Sequence, residues 1–215
     1  MSGRILPLTA AVLAGGPSQR FGSPKALASW NDETMIEAVL RTVSAVCSST
    51  IVVGRNLRSL RRLERNGVRL VRDQFRTPHP LGGLFTALDA SPTAWVFVAA
   101  CDTPLLRPAL VRVLWSARRN SDAVVARVAG RFQPLGALYN RACLPVIQQA
   151  IEAGDYSLQR LLLEVRTNLV SSRELAAADP EGMSFRDADT PRALRQLQEH
   201  ERSRHPRAKG TPAFS

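Results

Sequence analysis

In VFVAACDTPLL, residues 96–106, an apolar run ends in a single carboxylate. A buried strand that delivers an aspartate at its carboxyl end sets that group on the rim of a sheet, where a hard cation carrying phosphates finds an oxygen ligand. Asp102 is therefore a candidate Mg²⁺ ligand; capping the next helix is the lesser role, because Pro104 and Pro108 hold off its start. A second acidic stretch, RDADTP at 186–191, sets Asp187 and Asp189 just before the last helical pattern, with N-capping as the alternative duty for one of them. The opposite charge comes from LAGGPSQRFGSPK, residues 13–25, which leaves an apolar run through Gly15 and Gly16 and then presents Arg20, Gly22 and Lys25. Glycines that expose backbone N–H groups, followed by two cations, suit a triphosphate. A tight turn with surface cations is the plainer alternative, and the spacing matches neither GxxxxGK[ST] nor GxGxxG.

Two further loops belong with these. Asp73 sits at the end of a short apolar run, and the segment QFRTPHPLGGLFTAL follows it. Pro78 and Pro80 stiffen the approach, and Gly82 and Gly83 open a helix whose N-terminus is a platform for an anion or a base edge. His79 has no partner at metal-binding spacing and is not read as a ligand.

Positioning these groups requires a sheet. Short apolar or β-branched runs at 8–13, 50–53, 68–71 and 94–100 alternate with longer helical patterns, which predicts an α/β fold with a parallel sheet wrapped by helices. Residues 33–46 carry a helical apolar stripe, with Asn31 or Asp32 as its cap, and residues 56–65 form a second helix with Leu57, Leu60 and Leu63 inward. Further helices are expected at 107–119, 140–152, 157–163 and 190–200, with Pro191 in the first turn of the last. Segments 123–128 and 133–139 flank a turn at Ala129-Gly130 and read as a hairpin beside the main sheet. In such a sheet ligands bind beyond the carboxyl ends of the strands, where Asp73 and Asp102 fall.

The chain has 215 residues, 45% hydrophobic and 22% charged, ordinary globular usage with enough length for one real core. No apolar run approaches the ~20 residues of a spanning helix, and the start MSGRILPL lacks a signal-peptide core, so a cytoplasmic protein is expected. Cys47, Cys101 and Cys143 are too scattered for a disulfide framework or a zinc site. The net charge of +11 invites a nucleic-acid reading. Eight arginines between Arg55 and Arg76 supply part of it, as a solvated face or as a wall that attracts an anionic ligand. Residues 201–215 supply more and read as a disordered basic tail behind a domain of residues 1–200. Neither segment interleaves aromatics among its cations as a single-strand binder would. No specific nucleic-acid partner and no membrane partner is expected.

LAGG, Arg20, Gly22 and Lys25, then Asp73, PLGG, CDTP, QPLGALY and a final DxDTP resemble, in that order, the molybdenum cofactor guanylyltransferases among the Rossmann-like nucleotidyltransferases. The resemblance covers residues 8 to about 200. It implies a three-layer sandwich with a mostly parallel central sheet and helices on both faces. It implies transfer of a nucleoside monophosphate, GMP favoured, from an NTP to the phosphate of molybdopterin, with Mg²⁺ as cofactor. GTP and molybdopterin would be the substrates, with molybdenum-insertion or molybdoenzyme proteins as partners. By the same resemblance Leu13, Ala14, Gly15 and Gly16 line the nucleotide, Arg20 and Lys25 hold the phosphates, and Asp73 and Gly83 help fix the nucleoside. Asp102 and Asp189 bind the metal, and Gln133 and Pro134 face the acceptor with part of the arginine wall. The family usually ends in NxNTP where this chain has Asp187 and Asp189, a form also found in cytidylyltransferase relatives. LAGG in place of their LAAG ranks GTP first. Cytidylyl transfer to the same cofactor, guanylyl transfer to another phosphorylated metabolite, and a non-enzymatic nucleic-acid binder are the competing readings.

Overall fold

In the computed structural model, which describes residues 4–15, 24–75 and 79–204, strands and helices alternate from the start of the chain. β1 (Leu6–Leu13) leads to a 3₁₀ turn at Lys25–Leu27, a ribbon of β2 (Ser29–Trp30) and β3 (Glu33–Thr34), and α1 (Met35–Ser44). Then come β4 (Cys47–Gly54), a 3₁₀ helix at Arg58–Asn66, β5 (Arg69–Arg72), α2 (Pro80–Ala90), β6 (Trp95–Ala100) and α3 (Pro108–Ser116). β7 (Ala123–Val128) and β8 (Arg131–Asn140) precede α4 (Leu144–Glu152), α5 (Leu158–Glu164), β9 (Thr167–Ser171), α6 (Ser172–Leu175) and α7 (Pro191–Arg204).

Seven strands form one sheet in the order β5-β4-β1-β6-β8-β7-β9. β8 runs against both its neighbours, and the other pairings are parallel. Each central strand is apolar on both sides because helices cover both faces. In β6, Phe97 and Ala99 join the core beneath α1 and α3, while Val96 and Val98 join the one beneath α2, α4 and α5. The expected three-layer α/β sandwich is the fold. A third cluster of Trp30, Met35, Ala38, Ala188, Leu194 and Leu197 fastens α7 to the ribbon and to α1. Among the described residues no helix is long and apolar enough to cross a membrane.

Several local expectations need correction. The helix expected at 56–65 is 3₁₀, not α. Its leucines recur every three residues, the 3₁₀ period, and Leu60 and Leu63 are thereby buried on one line. α1 is capped by Thr34, whose N–H donates to the Glu37 carboxylate at 2.8 Å, a capping box. Asn31, at φ 53°, and Asp32 instead lie between β2 and β3. The β7–β8 hairpin turns at Ala129 and Gly130, both with positive φ, but it lies within the main sheet rather than beside it. α7 continues to Arg204, so residues 201–204 are helical where a tail was expected. Gly16, Arg20, Gly22, Arg76, Pro78 and residues 205–215 lie outside the described residues.

Candidate nucleotidyl-transfer site

The parallel strands deliver their loops to one rim. Cys101 N–H donates to the Leu13 carbonyl at 3.2 Å, Ala14 N–H to the Val53 carbonyl at 2.8 Å, and Asp73 N–H to the Gly54 carbonyl at 2.9 Å. The hydrogen-bonded ladder thus extends just past the strands, and Ala14, Gly54, Asp73 and Asp102 begin their loops as neighbours. A larger residue would crowd Gly54: a Cβ would stand 3.2 Å from the Ala14 carbonyl oxygen and 3.1 Å from Leu57 Cδ2.

At this rim the structure joins three of the expected residues. Lys25 Nζ donates to Asp102 Oδ2 and to Asp189 Oδ1. The Lys25 and Asp102 side chains are each 14% exposed, and Asp189 is 59% exposed. Burial disfavours the Lys25 ammonium, yet the hydrogen bonds and charges of both aspartates outweigh it and raise its pKa above the usual lysine value. Partial desolvation, then the negative charges of Asp189 and Asp102, raise the Asp187 carboxyl, with Lys25 and Arg186 opposing.

The acidic segment is pinned to Asp102 by residues that the sequence reading did not single out. Ala188 N–H donates to the Asp102 carbonyl at 2.9 Å, and the Ala188 side chain is fully buried. Upstream, buried Asp179 accepts from Met183 N at 3.1 Å and Ser184 N at 2.9 Å, with Arg107 Nε 3.6 Å away. Ser184 Oγ in turn accepts from Arg107 N at 3.2 Å, tying this segment to the loop after β6. Phe185 packs where Gly136 lacks a side chain; a Cβ at Gly136, which has φ +88°, would stand 3.1 Å from the ring. The only sequence hint was the string DPEGMS at 179–184, an aspartate ahead of a glycine turn.

The remaining expected residues are placed as follows. Leu13, Ala14 and Gly15 are half-buried at the end of β1. Gly83 is buried against the Leu13 side chain, 3.2 Å from where its Cβ would stand, and its N–H donates to the His79 carbonyl. Its position thus supports Leu13 from behind, and the Gly82 N–H is likewise taken, by His79 Nδ1 at 2.8 Å. Asp73 Oδ1 accepts from Phe75 N at 3.1 Å and Thr86 Oγ1 at 3.3 Å. Gln133 and Pro134 lie on β8 beyond Ala137, which pairs with Val98, so the antiparallel register carries them toward the carboxyl end of β6. Of the arginine run, Arg55 and Arg72 are exposed at the ends of β4 and β5, whereas Arg62 pairs with Glu37 at 3.2 Å and Arg69 bonds the Ala90 carbonyl.

Residues 10–169 match the family model of the MobA-like NTP transferase domain. The chain belongs to that family. It is 32% identical over 189 residues to the molybdenum cofactor guanylyltransferase of Desulfosudis oleivorans, covering 87% of this chain and 92% of the relative. To the Pseudomonas putida protein of that name it is 35% identical over 182 residues, 83% of this chain and 93% of the relative. A solved structure, molybdopterin-guanine dinucleotide biosynthesis protein A from Archaeoglobus fulgidus, superposes with a TM-score of 0.79 at 24% identity over 91% of this chain and 99% of that one, and shares its fold.

The carboxylates of this MobA-like domain suit Mg²⁺. Asp102 Oδ1 is buried and has no hydrogen-bond partner among the described residues, leaving an acceptor that a cation would satisfy. Asp189 accepts from the same Lys25 ammonium. Among the described residues no group of three or more His, Cys, Asp or Glu side chains forms a ready metal cage. Mg²⁺ needs none, since it keeps several waters and is held through one or two carboxylates together with substrate phosphates.

Proposed function

We propose that this protein transfers GMP from GTP to the phosphate of molybdopterin, releasing pyrophosphate and forming molybdopterin guanine dinucleotide. The observation that carries the reading is the meeting of Lys25, Asp102 and Asp189 at the carboxyl rim of the sheet, in a chain whose relatives bear the guanylyltransferase name. A phosphate oxygen of the acceptor attacks the α-phosphorus in line; one P–O bond forms as the bond to the β-phosphate oxygen breaks, and pyrophosphate leaves. Both reactants are anions, so the protein's main tasks are to bring them together and to offset the charge that builds on the leaving group.

Leu13, Ala14, Gly15 and Gly16 line the nucleotide through their backbone groups, with Asp73 on the nucleoside side and Gly83 acting there only by backing Leu13 from behind. Lys25 and Arg20 neutralise phosphate oxygens. Gln133 and Pro134, with Arg55 and Arg72 on the same rim, meet the acceptor. Asp102 and Asp189 would hold Mg²⁺, which when bound draws charge from the phosphates. Delivery of the acceptor by a molybdenum-insertion or molybdoenzyme protein, and a cytoplasmic setting in keeping with three unpaired thiols, belong to the same proposal.

Calorimetric titration with GTP, CTP, ATP and UTP, with and without Mg²⁺, tests it. GTP is expected to bind tightly only with Mg²⁺, and Asp102→Ala to lower guanylyl transfer by at least about a hundredfold while the fold survives. Preference for CTP would favour the cytidylyl reading that the DxDTP form keeps open, and a fully active Asp102→Ala would remove the metal assignment.

A further inference from the structure

Lys25 stands in a place that a phosphate-binding lysine does not need to occupy. Its ammonium donates to both aspartates assigned to the metal, one oxygen from each. We propose that Lys25 is a stand-in cation: it fills the divalent-ion position between Asp102 and Asp189 in the empty enzyme, and it moves to the phosphates when the metal and nucleotide arrive together. This inference rests on the guanylyl-transfer reading of the site.

Three observations carry it. Asp102 is largely buried, and a buried carboxylate without a counterion is costly, so it needs a positive charge beside it whether or not a metal is bound. Asp189 brings a second carboxylate to the same ammonium, so two negative charges share one corner and repel unless a cation bridges them. The substitution is also incomplete. Lys25 satisfies Asp102 Oδ2 while Oδ1 stays buried without a partner among the described residues, so a cation with a larger coordination sphere has an acceptor there that lysine leaves unmet. A lysine suits the task because its ammonium is a point charge on a flexible four-carbon stem that can leave one set of acceptors for another.

The consequence is a coupling. Metal alone must displace Lys25 and gives it no new partner, whereas nucleotide supplies phosphate oxygens to receive it. Each ligand therefore strengthens the other by the same factor, as linkage requires.

The test is Mn²⁺ binding, read as the loss of the free-ion electron paramagnetic resonance signal, for wild type and Lys25→Met with and without GTP. Without nucleotide, Lys25→Met is expected to bind Mn²⁺ about tenfold more tightly than wild type, a factor worth about 1.4 kcal/mol. In wild type GTP is expected to raise Mn²⁺ affinity at least tenfold, and in Lys25→Met much less. Unchanged or weaker Mn²⁺ binding by the variant without nucleotide would overturn the proposal, since a lysine that serves phosphate alone does not compete with metal. If the variant fails to fold, wild type still decides: independent binding of Mn²⁺ and GTP overturns the coupling, and mutual enhancement supports it. A wild type that binds no GTP with any metal would defeat the guanylyl reading, while the nucleotide-free comparison would still report on Lys25.

Discussion

His79 joins the start of α2 to the loop after β5. Its Nδ1 accepts the Gly82 N–H, and its ring lies 4.3 Å from that of Tyr156 and 5.6 Å from that of Phe75. Acceptance at Nδ1 requires the neutral ring, and burial lowers the pKa below the ordinary 6.5, with Asp73 opposing. A depressed folded-state pKa contributes stability that is present above the unfolded value and is lost as pH falls through the folded one. Thermal stability is therefore expected to drop as pH is lowered below about 6, and His79→Asn, which keeps a capping acceptor that does not titrate, should flatten that part of the profile. In the three thiols the same cause, burial, acts in the opposite direction, because their charged form is the anion. Burial pushes Cys47 up to about 12, burial and Asp102 do so for Cys101, and burial and Asp122 for Cys143. Little thiolate exists at neutral pH, so the native protein should leave Ellman's reagent almost untouched and the unfolded protein should react fully.

At the scale of elements the acidic segment between α6 and α7 decides whether a site exists. Asp179→Ala would strand the Met183 and Ser184 N–H groups and is expected to cost about 2 to 4 kcal/mol. Asp179→Asn keeps one carbonyl acceptor and should cost less, and it should also weaken Mn²⁺ binding in the presence of GTP, an effect that instability alone would not produce at temperatures well below the melting point. Denaturant melts and the Mn²⁺ titration check both. Asp102 and Lys25 stood out in the sequence because a carboxylate after an apolar run, or a cation after glycines, carries its own signal, whereas Asp189 was marked out from an N-cap only by the DxDTP resemblance. Asp179, Ser184 and Phe185 were not, because their value comes from Arg107 and Gly136, residues with no local pattern linking them. β9 was missed for a related reason: Val170 is its only buried residue, so it shows no alternation to read.

Across the whole molecule, the sheet was legible wherever strands are buried on both faces, since most of β1, the end of β4 and β6 read as apolar or β-branched runs. What no local window contains is the order β6-β8-β7-β9, which inserts a reversed strand and brings the hairpin into the sheet. The charge of +11 likewise says little by its sum; it is spread over the exposed 3₁₀ helix and the end of α7 as well as the rim. One feature of the rim also bears on how the protein is made. Lys25 meets a partner 77 residues along the chain at Asp102 and a second one 164 residues along at Asp189. A ribosome producing this chain completes every strand of the sheet by Ser171 before the second carboxylate emerges. A nascent chain that has reached Ser171 therefore has the strands of the sheet but only one of the two carboxylates that meet the Lys25 ammonium.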